Sequence, residues 1–195
     1  MMGVICDILV GFIEKNSDEA TVEKIKSRAG MPGRSFAWHE IVKEEDWQRL
    51  LKAAGEELGV EASVAEQMFA EHSIGILTDK FGSFFRISST PLDLLRKVAK
   101  IHLDFPSSMG MRTRKKLELA VDAPDRLIYH YRSPNRLCVF LKALAVKVFE
   151  HYGENQYAIT ETQCMKEGAE WCEIVMSVER VANQRKRPET PAEMS

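Results

Sequence analysis

Long apolar runs, a surplus of charge of either sign and a dense cysteine framework are all missing from this chain. The longest apolar stretch, Val4 to Ile13, is interrupted by Asp7 and falls far short of the roughly 20 residues that span a bilayer. No membrane insertion is expected. No basic segment precedes that stretch, so a secretory leader is not expected either. With 27 basic and 29 acidic residues the net charge is −2, which gives no general attraction to nucleic acid or to an anionic surface. Four cysteines in 195 residues are too few to staple a fold, and a reducing cytoplasm is the expected setting. Internal repeats, a Gly-rich phosphate loop, an HExxH pair and a nucleophile elbow are lacking too, and no nucleophile–base set is visible. An enzyme is not expected.

What is there suffices for one well-packed domain, with 45% hydrophobic residues over this length. Helical periodicity marks Met2–Lys15, then a helix capped by Ser17 and ended by Gly30, then Glu44–Leu58 with Trp47, Leu50, Leu51 and Ala54 inward. Ser63-x-x-Glu66 reads as a capping box opening a fourth helix that runs to Gly82, with Gly75 inside it as a weak point or a close contact. Thr90-Pro91-x-Asp93 opens a fifth, which Pro106 helps to stop. The period then changes to two. Lys116–Val121 and Leu127–Arg132 form a hairpin around Ala123-Pro124-Asp125. Ser133-Pro134 starts a sixth helix closed by Gly153, and strands follow at Tyr157–Thr162 and Glu173–Val178. Helices first and then β-β-α-β-β predict an α+β domain with an antiparallel sheet. It is assigned to residues 1–180, and 181–195 to a disordered tail or linker. Arg112, Arg114, Lys115 and Lys116 read as a solvated strand entrance.

The fifth helix carries the first chemistry. Leu94, Leu95, Val98, Ile101 and His102 share a face, so one imidazole sits among aliphatic side chains. Such a histidine is either a satisfied core residue or a ligand, and a dry helix face suits the imidazole–iron bond of a porphyrin. About thirty residues on, Tyr131 and Ser133 alternate out of a strand just before a helix starts. Their hydroxyls, with the exposed amides and positive dipole end of that helix, make a place for anions.

A helix histidine followed at this spacing by Tyr131-x-Ser133 resembles the haem nitric oxide/oxygen-binding (H-NOX) family, which includes the sensor domain of soluble guanylate cyclase. The resemblance covers most of residues 1–179, including Met1-x-Gly3-x-Ile5 and the Ala53-Ala54 to Gly59 segment. It implies haem b, with His102 as the proximal iron ligand. It further implies a Tyr-x-Ser-x-Arg clamp on the haem propionates, made by Tyr131 and Ser133. Asn135 stands where the arginine is expected and Arg136 follows one step later. An amide can still donate hydrogen bonds to a propionate but cannot form the charged bidentate fork, and Arg136 or Arg132 could replace the lost charge. Ile5, Leu9, Ile74, Thr78, Phe140 and Leu144 match positions lining the gas pocket. Members that hold oxygen place a tyrosine where this chain has Phe140, so nitric oxide and carbon monoxide are the expected ligands and oxygen is not.

Cys164 and Cys172 flank a turn at Glu167-Gly168 between strands and can bring their sulfurs together, and Cys138 could supply a third. Buried thiols of this kind are either core residues or metal ligands. Some bacterial members of the family pair similar cysteines with structural zinc. The fourth ligand stays open, with Glu161, His151 and His130 as candidates. The resemblance thus implies a cytoplasmic, haem-based nitric oxide sensor, in which ligand binding breaks the iron–His102 bond and moves the fifth helix. Its signalling partner would be a histidine kinase or a cyclic-nucleotide-type output enzyme. The alternative is a haem-less domain of the same fold, acting as a zinc-stabilised interaction or small-ligand-binding module.

Overall fold

The computed structural model describes residues 3–108 and 116–179. Arg112, Arg114, Lys115 and the expected tail lie outside the described residues. The helical half opens with α1 (Gly3–Asn16), which buries Val4, Ile8, Leu9, Phe12 and Ile13. After α2 (Glu19–Arg28) the chain returns across the start of α1. The Gly3 amide donates to the Glu40 carbonyl at 2.8 Å and the Val4 amide to the Trp38 carbonyl at 3.2 Å. Only glycine permits this approach, because a Cβ at Gly3 would lie 2.1 Å from the Ala37 carbonyl oxygen. α3 (Glu44–Leu58) gathers Glu44, Glu45 and Asp46 in its first turn, where they suit the helix dipole. It buries Trp47 and Leu50. α4 (Ala62–Lys80), the short α5 (Gly82–Arg86) and α6 (Pro91–Ser108) complete this half.

The second half is the expected α+β arrangement. β1 (Leu117–Ala123), β2 (Arg126–Tyr131), β3 (Tyr157–Gln163) and β4 (Cys172–Val178) form an antiparallel sheet in the order β1-β2-β4-β3, with α7 (Cys138–His151) between β2 and β3 in sequence. Leu127, Tyr129, Ile174 and Met176 are fully buried against α6 and α7. α7 is the wall that the two cores share. Phe140 and Leu144 belong to the core of the helical half, Ala145, Val148 and Phe149 to that of the sheet, and Cys138 to a third cluster with Cys164 and Cys172.

Helix ends depart from the sequence reading in instructive ways. Asp18, not Ser17, caps α2 by accepting from the Thr21 amide, while the Ser17 hydroxyl donates back to Ile13 and closes α1. Glu61 caps α4 in place of Ser63, which frees Glu66 for another task. α5 is a short helix that the sequence reading, which ended the fourth helix at Gly82, did not place. Gly75 makes no close contact. α6 begins as expected, with the Asp93 amide donating to Thr90 Oγ1, but it runs through Pro106 to Ser108. α7 starts at Cys138 rather than at Ser133-Pro134, because residues 133–136 form a tight turn with Arg136 left-handed at φ 50°.

Gly3→Ala is expected to lower stability by about 1–3 kcal/mol through overpacking. Gly55→Ala, in a helix with open space at the Cβ, should leave it unchanged or raise it by up to about 1 kcal/mol. Denaturant unfolding of both variants measures the contrast.

Candidate functional site

His102 projects from the last turns of α6. Its Nδ1 lies 2.9 Å from the Val98 carbonyl oxygen one turn earlier. A carbonyl only accepts, so Nδ1 carries the proton and Nε2 keeps its lone pair. Burial holds the imidazole below its ordinary pKa, aided by the nearby Lys116 charge and opposed by the Val98 bond, so the ring is neutral. The residue as a whole is exposed. A neutral imidazole with one unprotonated nitrogen fits the donor that haem iron requires.

Tyr131 and Ser133 come together beside α7 as the alternation predicts. The Tyr131 hydroxyl accepts from the Leu137 amide at 3.2 Å, and burial pushes its pKa up to about 12, against its bonds to Ser133 and Leu137. Ser133 is buried and accepts from the Asn135 amide at 3.3 Å. Asn135 reaches across to α3. Its side chain is buried, with Oδ1 accepting from Gln48 Nε2 on α3 at 2.9 Å. Gln48 also donates to the Pro134 carbonyl at 3.2 Å. Arg136 is exposed, and the Arg132 guanidinium stacks 4.5 Å from the Trp171 ring.

Of the expected gas-pocket residues, Ile5, Leu9, Phe140 and Leu144 share the helical core. Ile74 packs instead against the sheet core. Phe140 stacks on Phe69 with ring centroids 4.8 Å apart. Thr78 is the one hydroxyl of the set, and it donates to the Gly75 carbonyl of its own helix at 2.7 Å. Its proton is thus committed elsewhere.

The cysteines form the second centre. Cys164 Sγ lies 3.6 Å from Cys138 Sγ and 3.8 Å from Cys172 Sγ, and a Glu161 oxygen lies within 4.8 Å of all three. Four ligands at zinc–sulfur distance on a tetrahedron stand about 3.8 Å apart, so the sulfurs are already spaced for one ion. The Met165 amide donates to Cys172 Sγ at 3.2 Å, the kind of outer contact that steadies a thiolate ligand. A bulge in β3 follows Glu161, whose Oε1 is buried without a partner. Burial opposes ionisation of Glu161, but Lys142 and the neighbouring thiols outweigh it and hold the carboxyl below its ordinary value. His130 pairs with Glu173 at 3.1 Å and His151 packs edge-on against Phe85. Neither joins the cluster.

Sequence reasoning missed the residues that tie this centre to the start of α7. Glu66 accepts from the Phe140 amide at 2.9 Å and from Lys166 Nζ at 2.8 Å. It therefore caps α7 from α4 and meets the turn between Cys164 and Cys172. Burial works against the Lys166 charge, yet Glu66 and the thiols keep its pKa above the ordinary value. The signal was available: Glu66 shares a helical face with Phe69, Ala70 and Ser73, all buried.

The family model described as haem-NO-binding matches residues 2–159. Among solved structures, an H-NOX protein from S. oneidensis in the Fe(II)NO ligation state matches with TM-score 0.73 and 15% identity, over 92% of this chain and 100% of that one. An oxygen-binding H-NOX domain related to soluble guanylate cyclases, in its oxygen complex, matches with TM-score 0.75 and 15% identity, over 92% and 96%. Fe(II) unliganded H-NOX from K. algicida gives 0.72 and 16%, over 92% and 97%. A search of curated proteins returns no match.

Burial raises the pKa values of Cys138 and Cys172, as do the neighbouring thiols, so each must release a proton to bind a cation. Zinc affinity is expected to be weaker at pH 6 than at pH 8 in a chelator competition. Glu161→Ala should cost more than the roughly 10–100-fold typical of an outer-shell partner.

Proposed function

The chain belongs to the haem-NO-binding family, and from that premise we propose that it is a haem-based nitric oxide sensor domain and not an enzyme. One observation carries the reading above the others: the His102 imidazole, held below its ordinary pKa, gives its Nδ1 proton to Val98 and leaves Nε2 with its lone pair. Ferrous haem held there would supply the site that binds the diatomic gas. His102 holds it from the α6 side, with Ile5, Leu9, Ile74, Thr78, Phe140 and Leu144 as the proposed opposite wall. Tyr131 and Ser133 receive the propionates. No donor to a bound gas stands among those six, because Phe140 has no hydroxyl and Thr78 bonds its own helix. Nitric oxide and carbon monoxide need no such donor and polarised oxygen does, which supports the exclusion of oxygen.

α6 is built to report on its histidine. Its first half is fastened by the Tyr129 hydroxyl on the Leu95 carbonyl and by Arg96 on Asp122 and the Ala123 carbonyl. His102 lies beyond these fastenings, where the helix is more exposed. Releasing or holding Nε2 therefore moves the end of a lever whose base is fixed, a two-state element of the kind signalling uses. The output is proposed to be a histidine kinase or cyclic-nucleotide-type enzyme, within a reducing cytoplasm in keeping with four free thiols. Residues 1–180 would be the sensor and 181–195 a linker. Zinc on Cys138, Cys164, Cys172 and Glu161 would be structural. Among the described residues no helix is long and apolar enough to cross a membrane.

A second reading has its own support, because the clamp arginine is replaced by Asn135, whose carbonyl oxygen is bonded to Gln48. It is a haem-less, zinc-stabilised interaction module. Reconstituted ferrous protein separates the two. The sensor reading expects distinct absorption changes with nitric oxide and carbon monoxide and no lasting oxygen complex in air. Failure to take up haem at all would select the haem-less module.

A further inference from the structure

The carboxylate beside the three thiols is only half satisfied. Glu161 pairs with Ile174 across β3 and β4 and so shares its inward face, and Ile174 is fully buried in the core of the sheet. A carboxylate on such a face needs a charged partner or a metal. The Lys142 ammonium binds Oε2, while Oε1 is shut off from water and has no hydrogen-bond partner. The same side chain stands within 4.8 Å of the sulfurs of Cys138, Cys164 and Cys172. One oxygen of Glu161 is thus held and the other is left to spare beside the thiols.

Lys142 follows Cys138 by one turn of α7, so a single helix face presents a thiol and the lysine that reaches the carboxylate. The Lys142 side chain is 30% accessible and that of Glu161 13%, which makes this a partly dehydrated pair and not a loose surface one. A second lysine, Lys166, stands in the turn between Cys164 and Cys172, but its ammonium goes to Glu66 at 2.8 Å. Of the two, Lys142 is the one that touches a donor. An ammonium acts as a point charge on one oxygen, whereas a guanidinium would fork across both. Three thiolates and a carboxylate around a divalent ion also carry excess negative charge, which a cation on the carboxylate offsets.

On the reading that this cluster holds zinc, we propose that Lys142 is the positioning residue of the fourth ligand: by taking Oε2 of Glu161 it leaves Oε1 as the donor oxygen. α7 then serves the centre twice, with Cys138 as a ligand and Lys142 behind one.

Zinc affinity of the full chain, measured by competition with a chromophoric chelator, tests this. Lys142→Met is expected to bind zinc about 10–100-fold more weakly than wild type, the usual cost of losing an outer-shell partner. In a Glu161→Ala background, where no carboxylate is left unpaired, adding Lys142→Met should cost nothing further. Cobalt(II) supplies the second readout. Wild type should show the intense d–d absorption of a four-coordinate ion, and Lys142→Met a weaker or displaced one, because the carboxylate is no longer held. If Lys142→Met binds zinc as wild type does, loses as much affinity without Glu161 as with it, or leaves the cobalt spectrum unchanged, the assignment is wrong. If wild type takes up no zinc, the metal reading fails and this inference falls with it.

Discussion

The Nδ1–H bond from His102 to the Val98 carbonyl fixes what α6 can do. An imidazole could otherwise hold its proton on either nitrogen, or acquire a second at lower pH. Here the i−4 carbonyl selects one tautomer, and burial keeps the ring neutral. The remaining lone pair is the only ligating group that α6 presents from this residue. The rest of the helix prepares for it. Thr90 caps the start, Leu92, Leu94, Leu95 and Ala99 bury one face, and Tyr129 and Arg96 fasten the first half to the sheet.

α7 joins this proximal side to everything else. Its first residue, Cys138, belongs to the thiol cluster, and Phe140 stacks on Phe69 in the helical core. Phe149 is fully buried in the core of the sheet. Glu66 fixes the start of α7 by accepting the Phe140 amide, and Lys166 binds the same carboxylate from the turn between Cys164 and Cys172. Glu66 is buried and Lys166 exposed, so losing Lys166 would leave a buried carboxylate bonded to the Phe140 amide alone. The thiol centre and the proposed gas pocket therefore share one set of polar contacts, and a change at the cysteines would be felt at Phe140.

Much of the architecture was legible because it rests on local rules. Periodicity of 3.6 and then 2 gave α+β, and the structural matches bear out the fold and the H-NOX resemblance. Thr90 announced the start of α6. The thiol cluster followed from two cysteines flanking a glycine turn, while Glu161, the carboxylate beside it, was one of three candidates that the sequence left open. What could not be read was long-range. Asn135 was expected at the clamp, but its amide is held by Gln48, 87 residues away in sequence. Glu66 looked like a local capping residue because Ser63 stands three positions before it, and its actual partners are Phe140 and Lys166. Local propensity yields where a buried donor elsewhere lacks an acceptor.

Haem titration of the wild type and of His102→Gly, each with and without added imidazole, bears most directly on the central claim. The account predicts that wild type gives a ligated ferrous haem spectrum unaided. His102→Gly should give that spectrum only when imidazole fills the space the side chain leaves. A wild-type spectrum from His102→Gly without imidazole would contradict the assignment of His102 as the iron ligand.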